Sequence, residues 1–574
     1  MKQIEALLKQ FSDIVTTPLP FILIGGGLLL LLYSQFMPFK YFRHAYNVLR
    51  GKYDDPNDPG DINHYQALAS ALAATVGVGN IGGVAVAIVT GGPGAVFWMW
   101  LSAFVGIATK FFTCTLAIMY RGKDSLGHVQ GGPMYTITEG MGKHWKPLAT
   151  FFCIAGIFGA MPLFQANQLT EVVRNVILAP NGLVGKDPTI ANALTGLVIV
   201  VIVSTVIFGG IRRIGKVASR MVPFMVALYI ASVLYILATN AGAIIPSLTL
   251  IVTDAFSGQA MLGGALGALI IIGVRRAAFS NEAGIGTAPM MHGAAKTKEP
   301  VREGLVAMLG PVIDTLVVCT MTALAIIVTG VWEPQIDKGK NVIVTVSAKT
   351  AVNKQDKKVI QIEVMAKPNP LQDASEVTVS TSNKGLPVQV SAIRKLSEKK
   401  IDNQIDLSAQ LLNNPQNLPI EMVTYNHPDF IPLVIAQKKD ALGKPIPSQY
   451  IIKENHDLGV TITTRAFSKA IPGFGAGLLF LCILVFALST LFSYSYYGVK
   501  CTSFLLGAKR QNWYNILYIG SILYGAIATA DAAVNLIDGM YALMAIPTMF
   551  STIWLAPKVK AAYQDYFGRL KNDK

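Results

Sequence analysis

The sequence predicts an all-α polytopic membrane protein that carries one small β-rich insert. Of its 574 residues, 52% are hydrophobic and 14% are charged, and the mean hydropathy is +0.47. This composition excludes a soluble globular protein and indicates several membrane spans. Apolar stretches close to the length that crosses a bilayer recur along most of the chain. We expect eleven spans, at about 17–36, 65–90, 94–119, 149–178, 190–208, 221–239, 256–274, 304–330, 470–498, 513–530 and 534–556.

The first apolar stretch, Leu19–Phe36, is followed by no small-residue cleavage site, so we interpret it as a retained leader helix. The segments between spans alternate between basic and nearly uncharged. Connections 90–94 and 240–256 contain no lysine or arginine, whereas basic residues concentrate at 40–52, 121–146, 212–220, 296–302, 500–510 and 558–571. The positive-inside rule therefore predicts that the N-terminus lies outside and the C-terminus lies in the cytoplasm of the cell membrane. Basic cytoplasmic loops also account for the net charge of +15, so we expect a lipid bilayer and not nucleic acid as the partner.

One long segment, 332–469, is polar and contains no run that could span a membrane. Alternating stretches at 341–347, 359–364, 377–382 and 387–393 predict half-buried strands. The segment is expected to be a β-rich extracytoplasmic insert that meets an extracytoplasmic partner or ligand. It divides the transporter domain into residues 1–331, with the leader and core helices 1–7, and residues 470–574, with core helices 8–10 and a cytoplasmic tail.

Within the second apolar stretch, the string AATVGVGNIGG at Ala73–Gly83 contains four glycines and one asparagine. Each glycine lowers helix stability by roughly 1 kcal/mol relative to alanine, and unpaired backbone groups in hydrocarbon cost more. We therefore predict a first break in this helix, where freed backbone carbonyls and N–H groups bind a small ligand. The alternative is that the glycines only permit close helix packing.

A second break is predicted at Gly273–Gly286, which directly follows the apolar run Leu262–Ile272. It places Arg276 and Glu282 within the membrane, where ionisable residues are candidates for functional sites. The alternative is that the span ends at Ile272 and the arginines belong to a loop. The two breaks fall in the first and sixth of the ten spans after the leader, as an inverted repeat of two five-helix halves predicts.

Three further motifs accompany these breaks: GGPGAVFWMW at Gly91–Trp100, GGPMY at Gly131–Tyr135 and SYYG at Ser495–Gly498. Together with AATVGVGNI at Ala73–Ile81 and FSNEAG at Phe279–Gly284, they resemble the alanine or glycine:cation symporter family, also called sodium:alanine symporters. The resemblance covers the whole chain except the insert. It implies a leucine-transporter-like fold of two inverted five-helix repeats and sodium-coupled uptake of small neutral amino acids. Na⁺ would be the coupling ion, and no covalent cofactor is expected.

The resemblance also implies roles for individual residues. The backbone and side chains of the first break would hold the substrate carboxylate, and three other helices would contribute further contacts. The expected substrate-binding residues are Gly77, Val78, Gly79, Asn80, Gln165, Phe279, Asn281, Thr490 and Tyr494. The hydroxyls of Ser489 and Thr490, with the carbonyls of Ala73 and Val76, resemble a sodium site, and oxygen ligands suit a hard cation. Arg276 and Glu282 are the gate or coupling candidates.

The chain departs from the family pattern at several positions. Ser493-Tyr494 replaces the usual Gly-Trp pair, Val499 stands where glutamate is frequent, and Arg275-Arg276-Ala277 precedes Phe279 in place of Ala-Arg-Gly. These changes concern the substrate more than the fold. Proton coupling with Glu282 as carrier, and a sensor whose insert binds a ligand, are the alternative functions. The chain contains no nucleophile elbow, Walker loop or metal cluster, so we do not expect an enzyme.

Overall fold

The computed structural model describes residues 2–185, 187–256, 265–332, 459–527 and 531–572, together with eight strands between 343 and 453. The chain forms two compact units. One consists of Met1–Gly330 and Gly459–Lys574, and the other of Val331–Leu458. The first is helical and the second is a sheet, and each is described by itself.

The helical unit begins with an amphipathic helix that the sequence analysis did not predict, and the spans follow it. Before the sheet unit the helices are α1 (Lys2–Thr16), α2 (Leu19–Tyr33), α3 (Met37–Lys40), α4 (Phe42–Leu49), α5 (His64–Thr75), α6 (Val84–Gly91), α7 (Ala95–Met119), α8 (Pro133–Tyr135), α9 (Lys146–Gly159), α10 (Leu163–Val173), α11 (Thr189–Ile207), α12 (Gly210–Thr239), α13 (Ala241–Ala255), α14 (Ala265–Asn281), α15 (Thr287–His292), α16 (Pro300–Ala307), α17 (Leu309–Pro311) and α18 (Thr320–Val328). After it come α19 (Val460–Ala470), α20 (Gly475–Leu506), α21 (Gln511–Ile527) and α22 (Asp531–Asn572).

π-helical turns, which are wider than α-helical ones, directly precede or follow several of these helices. They occupy Gly79–Gly83, Thr136–Met141, Arg174–Leu178 and Val312–Cys319. Short 3₁₀ turns lie at Lys143–Trp145 and Ala508–Arg510, and the strands β1 (Gly122–Lys123) and β2 (Val129–Gln130) form a small antiparallel hairpin. Turns of the π type interrupt the regular hydrogen-bond ladder and are frequent at functional sites.

Among the described residues, eight helical segments are long and apolar enough to cross a membrane, and α5 with the segment Gly79–Gly91 forms a bent ninth. The protein is therefore a multi-pass helical membrane protein. Two of the eleven expected spans are not among these nine, because α14 and α21 are each 17 residues long as described. Residues 257–264 of the expected span 256–274 lie outside the described residues. The apolar helix α13 occupies a connection that the sequence analysis treated as a loop, since it is too short to register as a span.

The sheet unit contains strands β3 (Ile343–Val352), β4 (Lys358–Lys367), β5 (Glu376–Thr381), β6 (Val388–Val390), β7 (Gln404–Leu411), β8 (Ile420–Asn426), β9 (Leu433–Lys439) and β10 (Pro445–Lys453). They pair antiparallel in the order β5-β8-β9-β10-β3-β4-β7-β6. Strands β3 to β6 lie where alternation in the sequence predicts strands. The C-terminal bound differs from the expected 469, because residues 459–469 belong to the helical unit. There α19 buries its apolar face, including Ile462 and Phe467, and Thr463 donates to the carbonyl of Ile81.

Loops with basic residues contact one another at one end of the helical unit. Arg121 donates to the carbonyls of Gly293 and Pro59, the N–H of Lys296 donates to the carbonyl of Ile62 at 2.7 Å, and Arg212 pairs with Asp61. Elsewhere, the N–H of Gly94 donates to the carboxylate of Asp254 on α13, and Lys469 on α19 donates to the carbonyl of Thr329. The contacts of Arg121, Lys296 and Arg212 thus join loops that the alternation of basic and bare loops assigns to one side of the membrane.

A buried carboxylate links three helices close to the loops that carry the basic residues. Glu303 on α16 hydrogen-bonds with the Nδ1 atoms of both His64 on α5 and His292 on α15, and all three side chains are buried. Nearby, Lys298 pairs with Asp58 at 2.9 Å. Burial would raise the pKa of Asp58, but the hydrogen bonds and charge of Lys298 hold that pKa below its ordinary value. These contacts join the segments before α5 and after α15.

Helices α7 and α16 approach so closely that glycine is required at Gly304. A Cβ atom there would lie 2.7 Å from the carbonyl oxygen of Phe111 and would overlap the hydroxyl of Thr115. Small residues commonly permit such contacts between membrane helices. At Gly477 of α20, by contrast, a Cβ would meet no atom within 4 Å.

We expect Gly304→Ala to destabilise the protein by about 1–3 kcal/mol, because the methyl group overpacks the contact between α7 and α16. Gly477→Ala is the matched control and should leave stability unchanged or raise it slightly. Thermal unfolding of the purified variants in detergent measures both. Equal midpoints for Gly304→Ala and wild type would contradict the packing described here.

Candidate functional site

The first break interrupts the span formed by α5 and α6. Helix α5 ends at Thr75, Val76 is extended at φ −77° and ψ 91°, and the two halves meet at 53°. Gly79 is exposed although its neighbours Val78 and Asn80 are buried, and a Cβ at Gly79 would meet no atom within 4 Å. The break therefore opens onto free space at Gly79.

Asn80 closes the other side of the break. Its Oδ1 accepts the N–H of Gly77 at 3.0 Å, and its Nδ2 donates to Asp314 and to Ser280. The side-chain amide is thus bonded within the protein at both ends. The N–H of Gly77, one of the expected substrate-binding residues, is likewise occupied by Asn80.

The second break is shorter than predicted. Helix α14 continues through Gly273 and the two arginines to Asn281, and only Glu282–Gly286 is irregular. Gly273 has a packing role, because a Cβ there would lie 2.5 Å from the carbonyl oxygen of Ala95. The chain turns at Glu282, Gly284 and Gly286, whose φ angles are 56°, 89° and 109°.

Glu282 does not pair with Arg276. Its carboxylate accepts hydrogen bonds from the hydroxyls of Thr287 and Tyr494, the latter at 2.7 Å. Arg276 is instead attracted to Asp538 on α22, and its Cδ lies 3.9 Å from the position of a Cβ on Gly83 in the first break. The Nε atom of Arg275 is buried and has no hydrogen-bond partner among the described residues.

The paired hydroxyls of α20 lie against the first break. The Oγ of Ser489 is 3.4 Å from the carbonyl oxygen of Ala73, and a Cβ on Gly77 would lie 2.6 Å from the Oγ1 of Thr490. Both hydroxyls donate to the carbonyl of Phe486, as in an ordinary helix. The hydroxyl of Thr75 is buried and has no partner among the described residues. Oxygen atoms from the break and from α20 therefore converge, and they are the ligands that a hard cation prefers.

The remaining expected contacts occupy two other helices, α10 and α14. Gln165 on α10 has a buried Oε1 without a partner in the described part of the chain. The ring of Phe279 stacks on Tyr541 with centroids 5.7 Å apart, and Tyr541 is nearly parallel to Tyr494. Asn281 is bonded within the protein, since it donates to Thr315 and accepts the N–H of Ala283.

Comparison with known proteins decides the family. The sequence profile of the sodium:alanine symporter family matches residues 1–366 and 446–574. The chain belongs to the sodium:alanine symporter family. The unmatched residues 367–445 fall within the sheet unit, whose residues 331–366 and 446–458 lie inside the match. The match therefore extends into the insert, which the sequence analysis had placed outside the family resemblance.

Individual relatives in this family have different names. The sodium/alanine symporter AgcS of Methanococcus maripaludis is 32% identical over 557 residues, which cover 96% of this chain and 94% of the relative. A putative sodium/proton-dependent alanine carrier protein, YrbD of Bacillus subtilis, is 37% identical over 57% of this chain and 65% of its own length. A probable sodium/glutamine symporter, GlnT of the same organism, is 37% identical over 53% of this chain and 62% of its own length.

Two charged residues of this transporter are absent from the sequence-based set. Asp314 lies in the π-helical segment Val312–Cys319 and accepts hydrogen bonds from Asn80 in the first break and from Ser280 near the end of α14, whereas Lys110 lies on α7. Both are buried, with 0% and 2% of their surface exposed. Each is an isolated charge in an apolar stretch, which is the pattern that marks a functional residue within a membrane. That signal was available in the sequence, but neither residue belongs to a family motif.

We expect Gly77→Ala to reduce amino-acid uptake into proteoliposomes by at least about ten-fold, because the added methyl group displaces the Thr490 hydroxyl or widens the break. Gly477→Ala is the matched control, since its methyl group enters open space and it lies twelve residues before Ser489 on α20. Both proteins should elute as single species in detergent. Wild-type uptake by Gly77→Ala would show that the contact with Thr490 does not matter.

Proposed function

We propose that this protein imports small neutral amino acids of the alanine and glycine type together with sodium. The observation that carries the proposal is the contact between the first break and α20, where the carbonyl of Ala73 lies 3.4 Å from the Ser489 hydroxyl and Gly77 lies against the Thr490 hydroxyl. The family and the names of two relatives, a sodium/alanine and a sodium/glutamine symporter, support the same function.

The sodium ion is proposed to bind between the carbonyls of Ala73 and Val76 and the hydroxyls of Ser489 and Thr490. The separation of 3.4 Å between Ser489 Oγ and the carbonyl oxygen of Ala73 is too long for a strong hydrogen bond. An ion that touches both oxygens would use this space. Each hydroxyl can keep donating to Phe486 while its lone pairs face the ion.

The amino acid is proposed to bind in the open space at Gly79. The backbone N–H groups of Val78 and Gly79 and the positive end of the following half-helix suit a carboxylate. The Oε1 of Gln165, which is buried and has no partner among the residues that the structure describes, suits the ammonium group, and the ring of Phe279 provides an apolar wall. Asn80 and Asn281 shape the site through their bonds to protein, and the hydroxyl of Tyr494 orients Glu282.

We also propose that the helical unit has the inverted five-plus-five arrangement with one leader helix, the N-terminus outside and the C-terminus in the cytoplasm. The contact between Arg121 and the segment Gly293–Thr297 supports the orientation, because these loops belong to the set that the positive-inside rule assigns to the cytoplasm. The positions of the two breaks in the first and sixth core helices support the repeat.

Proton coupling is the second candidate, and the environment of Glu282 favours it. This carboxylate is buried in a break and receives hydrogen bonds from Tyr494 and Thr287. One relative is a putative sodium/proton-dependent alanine carrier. In this version Glu282 would take up a proton in place of, or along with, the bound sodium ion.

An uptake screen in proteoliposomes tests the proposed function. Glycine, both alanine enantiomers and serine are compared in sodium and in choline, with and without a pH gradient. We expect uptake of at least one substrate that requires sodium. Failure of all four substrates would refute the substrate class, and uptake in choline that follows the pH gradient would favour Glu282 over the sodium site.

Ser489→Ala should raise the sodium concentration for half-maximal uptake by about ten-fold, because it removes one ion ligand without changing the helix. Ser495→Ala is the matched control. Ser495 is buried on the same helix and donates to the carbonyl of Phe492, but it is six residues away from Ser489. An equal sodium dependence in both variants would place the ion elsewhere.

Replacing residues 334–457 with a Gly/Ser linker separates a transporter from a sensor. The replacement ends before α19, because Val460 and Thr463 of that helix are buried in the helical unit. We expect the shortened transporter to retain substrate uptake, because the proposed site lies wholly in the helical unit. Loss of uptake by a shortened protein that remains monodisperse would indicate that the sheet unit takes part in binding.

A further inference from the structure

Both broken helices donate hydrogen bonds to one buried carboxylate, that of Asp314. From the first break, Asn80 Nδ2 donates to its Oδ1, and from the end of α14 Ser280 donates to its Oδ2 at 2.6 Å. The neighbouring Thr315 adds a third donor at 3.0 Å. Because a carboxylate accepts in several directions at once, it holds the two helices together alongside the direct bond from Asn80 to Ser280 at 3.3 Å.

The charge of Asp314 also fixes which way the amide of Asn80 points. With its NH₂ group turned to Asp314 and Ser280, the amide presents its oxygen to the N–H of Gly77 at 3.0 Å. If the amide were flipped, its oxygen would face the carboxylate of Asp314 and its NH₂ group would face the N–H of Gly77. Both contacts would then be repulsive. Hydrogen bonds to a charged group are stronger than neutral ones, so Asp314 determines the orientation.

Lys110 supplies the compensating charge. It is buried on α7 and attracts both Asp314 and Glu282. Its ammonium nitrogen lies 3.2 Å from the position of a Cβ on Gly310, four residues before Asp314. A buried charge whose partner is removed is strongly destabilising, whereas removing both charges together is tolerated better.

We propose that Asp314 is a positioning residue for the amino-acid and sodium sites, and that Lys110 balances its charge. The inference rests on the proposed function, because Asp314 would act on the proposed ligand sites by orienting Asn80, which in turn holds Gly77. Gly77 in turn abuts the Thr490 hydroxyl of the proposed sodium site. Asp314 itself is fully enclosed by protein donors and acts through Asn80 without contacting either ligand.

Asp314→Asn tests this role, with L-alanine and sodium as the probes. An asparagine keeps the size of the side chain but replaces one of the two accepting oxygens with an NH₂ donor, so Asn80 and Ser280, which donate to different oxygens of Asp314, cannot both keep their bonds in place. We expect the KM for alanine and the half-saturating sodium concentration to rise at least about ten-fold, with a much smaller change in the maximal rate. Asp314→Glu should recover part of the loss. Asp187→Asn, the same change at an exposed position, is the matched control.

If Asp314→Asn does not fold, Lys110→Met and the double variant Lys110→Met/Asp314→Asn keep the inference testable. The double variant should unfold at a higher temperature than Lys110→Met, yet retain the raised KM and half-saturating sodium concentration. A double variant no more stable than Lys110→Met, or wild-type KM values in a folded Asp314→Asn, would overturn the inference. If the wild-type protein takes up no alanine, the proposed function fails, and the stability comparison still tests the charge pair.

Discussion

A helix that breaks inside a membrane span must find partners for the backbone groups that leave its hydrogen-bond ladder. In this protein the partner of the N–H of Gly77 at the first break is the side chain of Asn80, whose amide oxygen accepts from it. The opposite end of that amide is held by Asp314 and Ser280. The shape of the break, and the free space at Gly79, therefore depend on contacts with two other segments of the chain.

Close contacts between small residues complete the arrangement. Gly77 allows the break to lie against Thr490, and Gly106 on α7 allows Ala283 of the second break to approach, since a Cβ there would be 2.9 Å from that side chain. Neighbouring helices thus touch the breaks directly and limit how they can move. Membrane helices have little hydrophobic drive to associate, so both this close packing and the hydrogen bonds between helices stabilise the site.

This geometry gives a physical basis for coupling between the two ligands. In the proposed function, sodium binds to the carbonyl side of the first break and the amino acid binds at Gly79, only a few residues along the same segment. A ligand that orders one side of the break reduces the conformational freedom that the other must remove. Coupling of this kind is reciprocal, so the amino acid would strengthen sodium binding by the same factor.

Local properties of the sequence predicted much of this. Apolar runs located most spans, glycine content located the first break, and alternation located strands β3 to β6, because each property depends on neighbouring residues only. The family motifs, in turn, brought Ala73 and Ser489 together in one expected site. Tertiary structure decided the rest. The packing places the second break at Glu282, brings the hydroxyls of Tyr494 and Thr287 to that carboxylate, and includes α19 in the helical unit. It also joins Asn80 to Asp314 across 234 residues. No local pattern encodes such a bond, since it exists only once the packing of separate helices has brought the two side chains together.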